Sequence, residues 1–124
     1  MKFFFDNGFP PPLPPAINAL CKDEHYVAHL REHYPANTPD DEWITDLSID
    51  GNWVIITKDN RISRNPVWKT ANVTTIFITK GLQNAAFWDM AWKIIKAWPL
   101  VLKTVDSNPQ GSIITIKHNS TVSV

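Results

Sequence analysis

The stretch Asn52-Trp53-Val54-Ile55-Ile56-Thr57-Lys58-Asp59 sets the expected architecture. It is a short run of apolar, mostly β-branched residues that stops at a carboxylate. Such runs are typical of buried strands, and strands that are apolar on both faces belong to parallel sheets. Lys2-Phe3-Phe4-Phe5-Asp6 repeats the pattern near the start of the sequence. Because open α/β sheets bind ligands beyond the carboxyl ends of their strands, Asp6 and Asp59 are candidate site residues.

Strand and helix signals alternate along the rest of the chain. Further strands are predicted over 26–30 and 73–79, and helices over 16–22, 39–50 and 85–97, with a short one beginning at Asn65-Pro66. The long helix would be capped by Asn84, and Pro99 is expected to end or kink it, with another short helix over 100–105. This alternation indicates right-handed βαβ units and an α/β fold with a mostly parallel sheet of about four strands.

The end of the chain carries a hairpin signal. Residues 112–117 and 121–124 are rich in β-branched residues and flank His118-Asn119-Ser120. We therefore expect a main domain over 1–106 and an extension over 107–124 that forms a β-hairpin.

Composition excludes several classes of protein. The 124 residues carry 12 basic and 12 acidic side chains, and this zero net charge argues against coating of nucleic acid by bulk electrostatics. The only cysteine, Cys21, excludes an internal disulfide, and we expect it to be a buried spectator on the first helix. No segment approaches the roughly 20 apolar residues of a membrane span, so a cytoplasmic protein with no membrane partner is expected.

A third acid joins the two at the strand ends. In Thr38-Pro39-Asp40-Asp41-Glu42, Thr38 is the expected N-cap and Pro39 the first helical residue. A helix that leads back to the strand at 52 begins at the carboxyl edge of the sheet. This topology brings Asp41 to the same edge as Asp6 and Asp59.

Three clustered carboxylates repel one another unless a cation neutralises them, and oxygen ligands select Mg²⁺ or Mn²⁺. The chemistry that this predicts is metal-assisted phosphodiester hydrolysis. Lys58, Arg61, Arg64 and Lys69 follow the strand closely and would form a rim that contacts phosphate. Each acid also has a structural interpretation: Asp6 and Asp59 in turns, and Asp41 in a capping box with Thr38.

Several of these motifs resemble those of a known family. The segments are Lys2–Asn7 with the prolines after it, Thr38–Ile44, Val54–Pro66, Thr79–Asn84 and Phe87–Trp92. In this order they resemble PIN-like proteins of the VapC45 type, within the wider PIN-like group related to the Mut7-C ribonucleases. The resemblance covers about residues 2–105. It implies a three-layer α/β/α PIN fold, ribonuclease activity that depends on Mg²⁺ or Mn²⁺, and a toxin role beside a cognate antitoxin.

By position, the resemblance makes Asp6, Asp41 and Asp59 the catalytic metal ligands. Asn7, Lys58 and Arg61 would contact the RNA substrate or orient water. PIN nucleases usually carry a fourth acid, a glutamate on a helix between the first two acids, and no such helix is evident here. Asn7, Asp40 and Glu42 are the candidates to replace it.

Two further features leave alternatives open. His25, His29 and His33 recur every four residues, but they fall around a predicted strand, where that period does not face one metal. The helix 85–97 has one stripe with Trp88 and Trp92 and another with Phe87 and Trp98, suited first to the core, next to a homodimer interface and last to RNA stacking. The missing acid keeps open a non-catalytic PIN-like module that acts through a protein partner.

Overall fold

A computed structural model describes all residues, 1–124. Six strands are present: β1 (Lys2–Phe5), β2 (Tyr26–His29), β3 (Trp53–Thr57), β4 (Thr74–Ile78), β5 (Ile113–Ile116) and β6 (Val122–Ser123). The helices are α1 (Leu13–Leu20), α2 (Asp40–Asp50), α3 (Pro66–Ala71), α4 (Lys80–Gln83) and α5 (Phe87–Ser107). Two 3₁₀ turns, Leu30–Glu32 and Asn60–Arg64, follow β2 and β3. No helix combines the length and the apolar character that crossing a membrane requires.

The strands form one sheet in the order β2-β1-β3-β4-β5-β6. The first five are parallel, and β6 pairs antiparallel with β5. This confirms the predicted α/β fold with a mostly parallel sheet and a terminal hairpin. The chain runs outward from β1 to β2 and then crosses back to β3, so the direction of winding reverses between β1 and β3. Such a reversal opens a crevice at the carboxyl ends of the two strands.

Helices cover both faces of the sheet. Phe3 and Phe5 project into a cluster of 19 buried residues with α1, α4 and α5, and Phe4 projects into a cluster of 8 with α2 and α3. Successive side chains of a strand point to opposite faces, so an uninterrupted run of phenylalanines serves both layers. The predicted three-layer α/β/α arrangement is therefore confirmed.

The start of α2 differs from the prediction. Thr38 is not its N-cap, because Pro39 occupies that position with extended backbone (φ −59°, ψ 144°) and Asp40 is the first helical residue. The Thr38 hydroxyl instead donates to the Pro35 carbonyl at 2.7 Å and so belongs to the preceding turn. Gly51 ends the helix as expected.

The predicted end of the helix at Pro99, with a separate helix over 100–105, is wrong. One helix, α5, runs from Phe87 to Ser107 with Pro99 inside it, and no separate helix begins at Leu100. Ala97, Trp98 and Val101 are buried on either side of the proline, while Pro99 itself is exposed. Packing of both halves onto the sheet therefore outweighs the missing hydrogen bond. Asn84 ends α4 and does not cap α5, which begins after Ala86.

The terminal hairpin is part of the main sheet. β5 pairs with β4 in parallel, and Ile114 and Ile116 are fully buried. At the opposite edge, the outward N–H groups of β2 are satisfied by side chains: Val27 donates to Asn18 Oδ1 at 2.8 Å and His29 to Glu32 Oε2 at 2.5 Å. These hydrogen bonds occupy backbone groups of an edge strand that could otherwise pair with another strand.

Candidate active site

A cleft of about 280 Å³ opens where β1 and β3 end. Its walls come from the β1 and β3 carboxyl ends, the loop before α2 and the first turn of α2. The residues that line it are Asp6, Asn7, Gly8, Leu30, Ala36, Thr38, Asp40, Thr57, Lys58, Asp59 and Ile62. The cleft occupies the crevice where the winding of the sheet reverses, which is the usual ligand site of such sheets.

Asp6 lies at the closed side of this cleft. Its backbone N–H continues the ladder by donating to the Ile56 carbonyl at 3.1 Å, so its position is fixed by β3. One carboxylate oxygen accepts from the Gly8 N–H at 3.0 Å and the other from the Thr57 hydroxyl. Burial, opposed by these two hydrogen bonds, raises the pKa of Asp6 to about 6, and nearby carboxylates add to the rise.

Asp59 is coupled to Asp6 through Thr57. The Thr57 hydroxyl donates to Asp6 and accepts the Asp59 N–H at 3.0 Å, so one side chain at the end of β3 holds both acids in register. The Asp59 carboxylate accepts from Arg61, from its N–H at 2.9 Å and its Nε at 3.0 Å. The side-chain hydrogen bond from Arg61 is the main reason that the pKa of Asp59 lies below its ordinary value.

The helix start presents Asp40 to the cleft. Asp40 lines it, and its Oδ1 accepts the Trp43 indole N–H at 3.1 Å. Asp41 does not line the cleft, since its Oδ1 accepts from Asn65 Nδ2 at 2.6 Å and so ties α2 to the residue that caps α3. Consecutive helical residues point about 100° apart, and so a change of one position at the helix start changes which acid faces the cleft. The third acid of the cleft is therefore Asp40.

The three expected substrate contacts are placed differently. Lys58 lines the cleft with its Nζ 5.3 Å from the centre of the Phe9 ring, and burial lowers its pKa while Asp6 partly offsets the effect. Asn7 also lines the cleft, with its Oδ1 accepting from Arg31 Nε at 2.7 Å. Arg61 is outside the lining and reaches the cleft only through its ion pair with Asp59.

A buried histidine, His29, supports the cleft in a role that the sequence did not predict. His29 is completely buried; its Nε2–H donates to the Phe9 carbonyl at 2.8 Å, and its Nδ1 accepts the Arg31 N–H at 3.0 Å. It thereby joins the end of β2 to the loop after Asp6. Burial lowers the pKa of His29, in keeping with a neutral ring that has one donor and one acceptor. The histidine spacing carried no sign of this role.

The donor set fits a hard divalent cation in type. Asp6, Asp40 and Asp59 offer only oxygen atoms, and the buried Asp6 carboxylate is the kind of group that a cation stabilises. No group of three or more His, Cys, Asp or Glu residues is close enough to hold one metal ion by itself. Mg²⁺ commonly binds through one or two carboxylates together with water and substrate phosphate. The cleft offers that number of carboxylates.

The chain has a three-layer α/β/α fold with an acid-lined cleft where the winding of the sheet reverses. These are the features of α/β proteins whose ligand site lies at the carboxyl edge of the sheet. A family model described as a PIN-like domain matches residues 1–80 of the 124, which span β1 to β4 and contain all the acids discussed above. The chain belongs to the PIN-like domain family. No curated protein and no solved structure matches it significantly.

Proposed function

We propose that the protein is a divalent-metal-dependent endoribonuclease whose active site is the cleft at the ends of β1 and β3. The observation that carries the proposal is the convergence of Asp6, Asp40 and Asp59 on one cleft that also contains Lys58. Membership of the PIN-like family, in which nucleases are common, supports it. Mg²⁺ or Mn²⁺ is the cofactor expected from the oxygen-only donors.

Each residue at the cleft has a separate role in this proposal. Asp6 with Asp40 or Asp59 would hold the cation, which would lower the pKa of a bound water and screen charge on the phosphate. Thr57 fixes the spacing of Asp6 and Asp59 through its two hydrogen bonds. Lys58 would place a positive charge beside the scissile phosphate. Arg61 would leave Asp59 free for the cation and contact an RNA phosphate, an exchange of low cost because its ion pair with Asp59 is exposed to solvent.

Two neighbouring acids provide a matched test. Asp40→Asn and Asp41→Asn are compared with wild type in cleavage of a fluorogenic RNA oligonucleotide with Mn²⁺, beside Asp6→Asn. We expect Asp6→Asn and Asp40→Asn to lose at least about 100-fold in rate, the scale seen when one group that stabilises transition-state charge is removed. Asp41→Asn should stay within a few-fold of wild type. Equal cleavage by wild type and Asp6→Asn would refute the proposal, whereas loss in Asp41→Asn alone would return the third ligand to Asp41.

A second candidate function assigns binding, but no catalysis, to the cleft. The pairing of Asp59 with Arg61 and the absence of a three-acid cluster favour a non-catalytic PIN-like module that binds a protein partner. Calorimetric titration with Mn²⁺ separates the two. Binding that Asp6→Asn abolishes supports the nuclease, and no binding, or binding insensitive to Asp6, supports the module.

The biological setting proposed with the nuclease is that of a VapC45-type toxin held by a cognate antitoxin. Its support is the order of motifs shared with that group, from Asp6 to the Phe87-Trp88 pair. Arrest of growth on expression, relieved by the product of an adjacent gene and absent for Asp6→Asn, is the expected result. Expression without effect on growth would contradict the toxin role.

A further inference from the structure

The N-terminal half of α5 exposes three large aromatic side chains. Trp88 is 79% exposed, Trp92 49% and Phe87 38%, and the Phe87 and Trp88 rings meet edge to face at 5.4 Å. Trp88 and Trp92 are four residues apart, so they lie on one side of the helix. We call Phe87, Trp88 and Trp92 the aromatic stripe. Exposed apolar surface of this kind marks an interaction site, so we expect the stripe to bind a ligand or a partner.

The stripe lies at the same edge of the sheet as the cleft. β4 ends at Ile78 on the carboxyl edge, α4 follows it directly, and α5 begins at Phe87. A helix that joins two parallel strands runs back against them, so the first turns of α5 are at the carboxyl edge. A chain-like ligand that joins the cleft to the stripe would cross the end of β4.

The segment that carries the stripe is rich in lysine. From Lys80 to Lys103 the chain has four lysines and one acid, Asp89, although the whole protein has zero net charge. The ammonium group of Lys96 lies 5.2 Å from the centre of the Trp92 ring. Aromatic faces with adjacent cations suit the bases and phosphates of a single strand.

We propose that the aromatic stripe binds single-stranded RNA that extends from the cleft. The bases stack on Trp88 and Trp92, and the phosphates contact Lys96 and Lys80. The proposal rests on the proposed function, because it gives the cleft a single-stranded substrate that is held several nucleotides from the cleavage point. A second copy of the chain fits the stripe less well. A twofold contact between two stripes places the same surface against itself, and this brings the lysines of both copies together.

The test measures binding apart from cleavage. Fluorescence anisotropy of a labelled 12-nucleotide oligouridine is followed in EDTA, where no cation supports hydrolysis, for wild type, Trp88→Ala, Trp92→Ala and the control Leu100→Ala. Leu100 is 48% exposed on the same helix but outside the stripe. Each tryptophan variant should bind about 5- to 150-fold more weakly, since stacking of one base contributes roughly 1–3 kcal/mol. The control should bind like wild type, and RNA should quench the tryptophan fluorescence of wild type and of the control more than that of either tryptophan variant.

A lysine variant and light scattering complete the experiment. Lys96→Gln should lower the slope of log affinity against log salt by about 0.7, the value for one phosphate contact on a single strand. Unchanged binding in both tryptophan variants overturns the proposal, as does a wild-type dimer that Trp88→Ala converts to a monomer. Because EDTA removes cleavage from the measurement, tryptophan-dependent binding without any nuclease activity would refute the proposed function and leave this inference intact.

Discussion

At the scale of single residues, Asp6 shows the cost of placing a carboxylate in a partly buried cleft. A half-buried carboxylate beside other acids is costly to ionise, and this cost appears as a pKa of about 6. The Thr57 hydroxyl and Gly8 N–H reduce the cost but do not remove it. A cation in the cleft would favour the ionised form and reverse the effect.

The first prediction concerns the pH dependence of stability. Asp6 has a higher pKa in the folded state than its ordinary 3.8, so the folded chain binds more protons between about pH 4 and 6, and stability falls as pH rises through this window. Asp6→Asn should remove that fall and raise the free energy of unfolding at pH 7 by about 2–3 kcal/mol, since each pKa unit corresponds to 1.36 kcal/mol. Urea unfolding at pH 4 and pH 7 without metal measures this change.

The control for that measurement is Asp106→Asn, which changes an exposed acid on α5 remote from the cleft. It should leave the pH profile as in wild type. If Asp6→Asn also keeps the wild-type profile, the carboxylate is not strained and the electrostatic account of the cleft is wrong.

The second prediction concerns Arg61, which would compete with a bound cation for Asp59. Arg61→Ala frees the carboxylate, so the affinity for Mn²⁺ should rise, by no more than about a few-fold because the ion pair is exposed to solvent. Calorimetric titration gives the affinity. Arg64→Ala, which removes an exposed arginine without an ion pair in the structure, should have no effect. A lower affinity in Arg61→Ala than in wild type would contradict this prediction.

At the scale of secondary structure, α5 shows that packing can override a helix-breaking residue. Pro99 cannot donate to the carbonyl of Ile95 one turn earlier, yet the helix continues for two more turns. Ile94, Ala97, Trp98 and Val101 all join the larger buried cluster, and their burial holds both halves of the helix against the sheet. The proline ring is exposed at the groove between α1 and α5.

The third prediction follows from that arrangement. Pro99→Ala should stabilise the protein by about 2–2.5 kcal/mol, because proline costs roughly 3 kcal/mol inside a helix and its stiffening of the unfolded chain returns about 0.4–1 kcal/mol. Thermal unfolding followed by circular dichroism measures the change. Lys103→Ala, at an exposed position one turn later, should change stability by only a few tenths of a kcal/mol. A destabilised Pro99→Ala protein would show that the proline shape is needed for the packing of α5.

At the scale of the whole molecule, the last residues belong to the same core as the first. The larger buried cluster includes Phe3 and Phe5 of β1 together with Ile114 and Ile116 of β5, across the full length of the chain. β5 also covers the side of β4 that would otherwise be an open edge. The division between 1–106 and 107–124 that the sequence suggested therefore runs through a single sheet.

The fourth prediction tests that division. A chain of residues 1–106 exposes β4 and loses two fully buried isoleucines, and loss of each large core side chain typically costs about 2–5 kcal/mol. We expect it to lack a cooperative thermal transition in circular dichroism. Removal of 121–124 alone, which deletes only the half-buried β6, should lower the transition without abolishing it. A cooperative transition of 1–106 at the wild-type temperature would establish an independent domain.

By itself, the sequence determined the class of fold and the candidate acids. Apolar runs that stop at Asp6 and Asp59, separated by helix signals, are local patterns, and parallel winding forces their ends to one edge. The prolines before α1 and the glycine after α2 are equally local, and most element bounds were therefore predicted to within a few residues.

Only the tertiary structure decided which acid of α2 faces the cleft, whether α5 continues through Pro99, and which tryptophans of α5 are buried. Asp40 and Asp41 differ by one helical step, and Asp41 is held away from the cleft by its bond to Asn65, 24 residues further along the chain. Trp98 stacks on Phe5 while Trp88 and Trp92 remain exposed, although all three share one helix. These outcomes depend on contacts between residues distant in the chain, whose free energies no local pattern records.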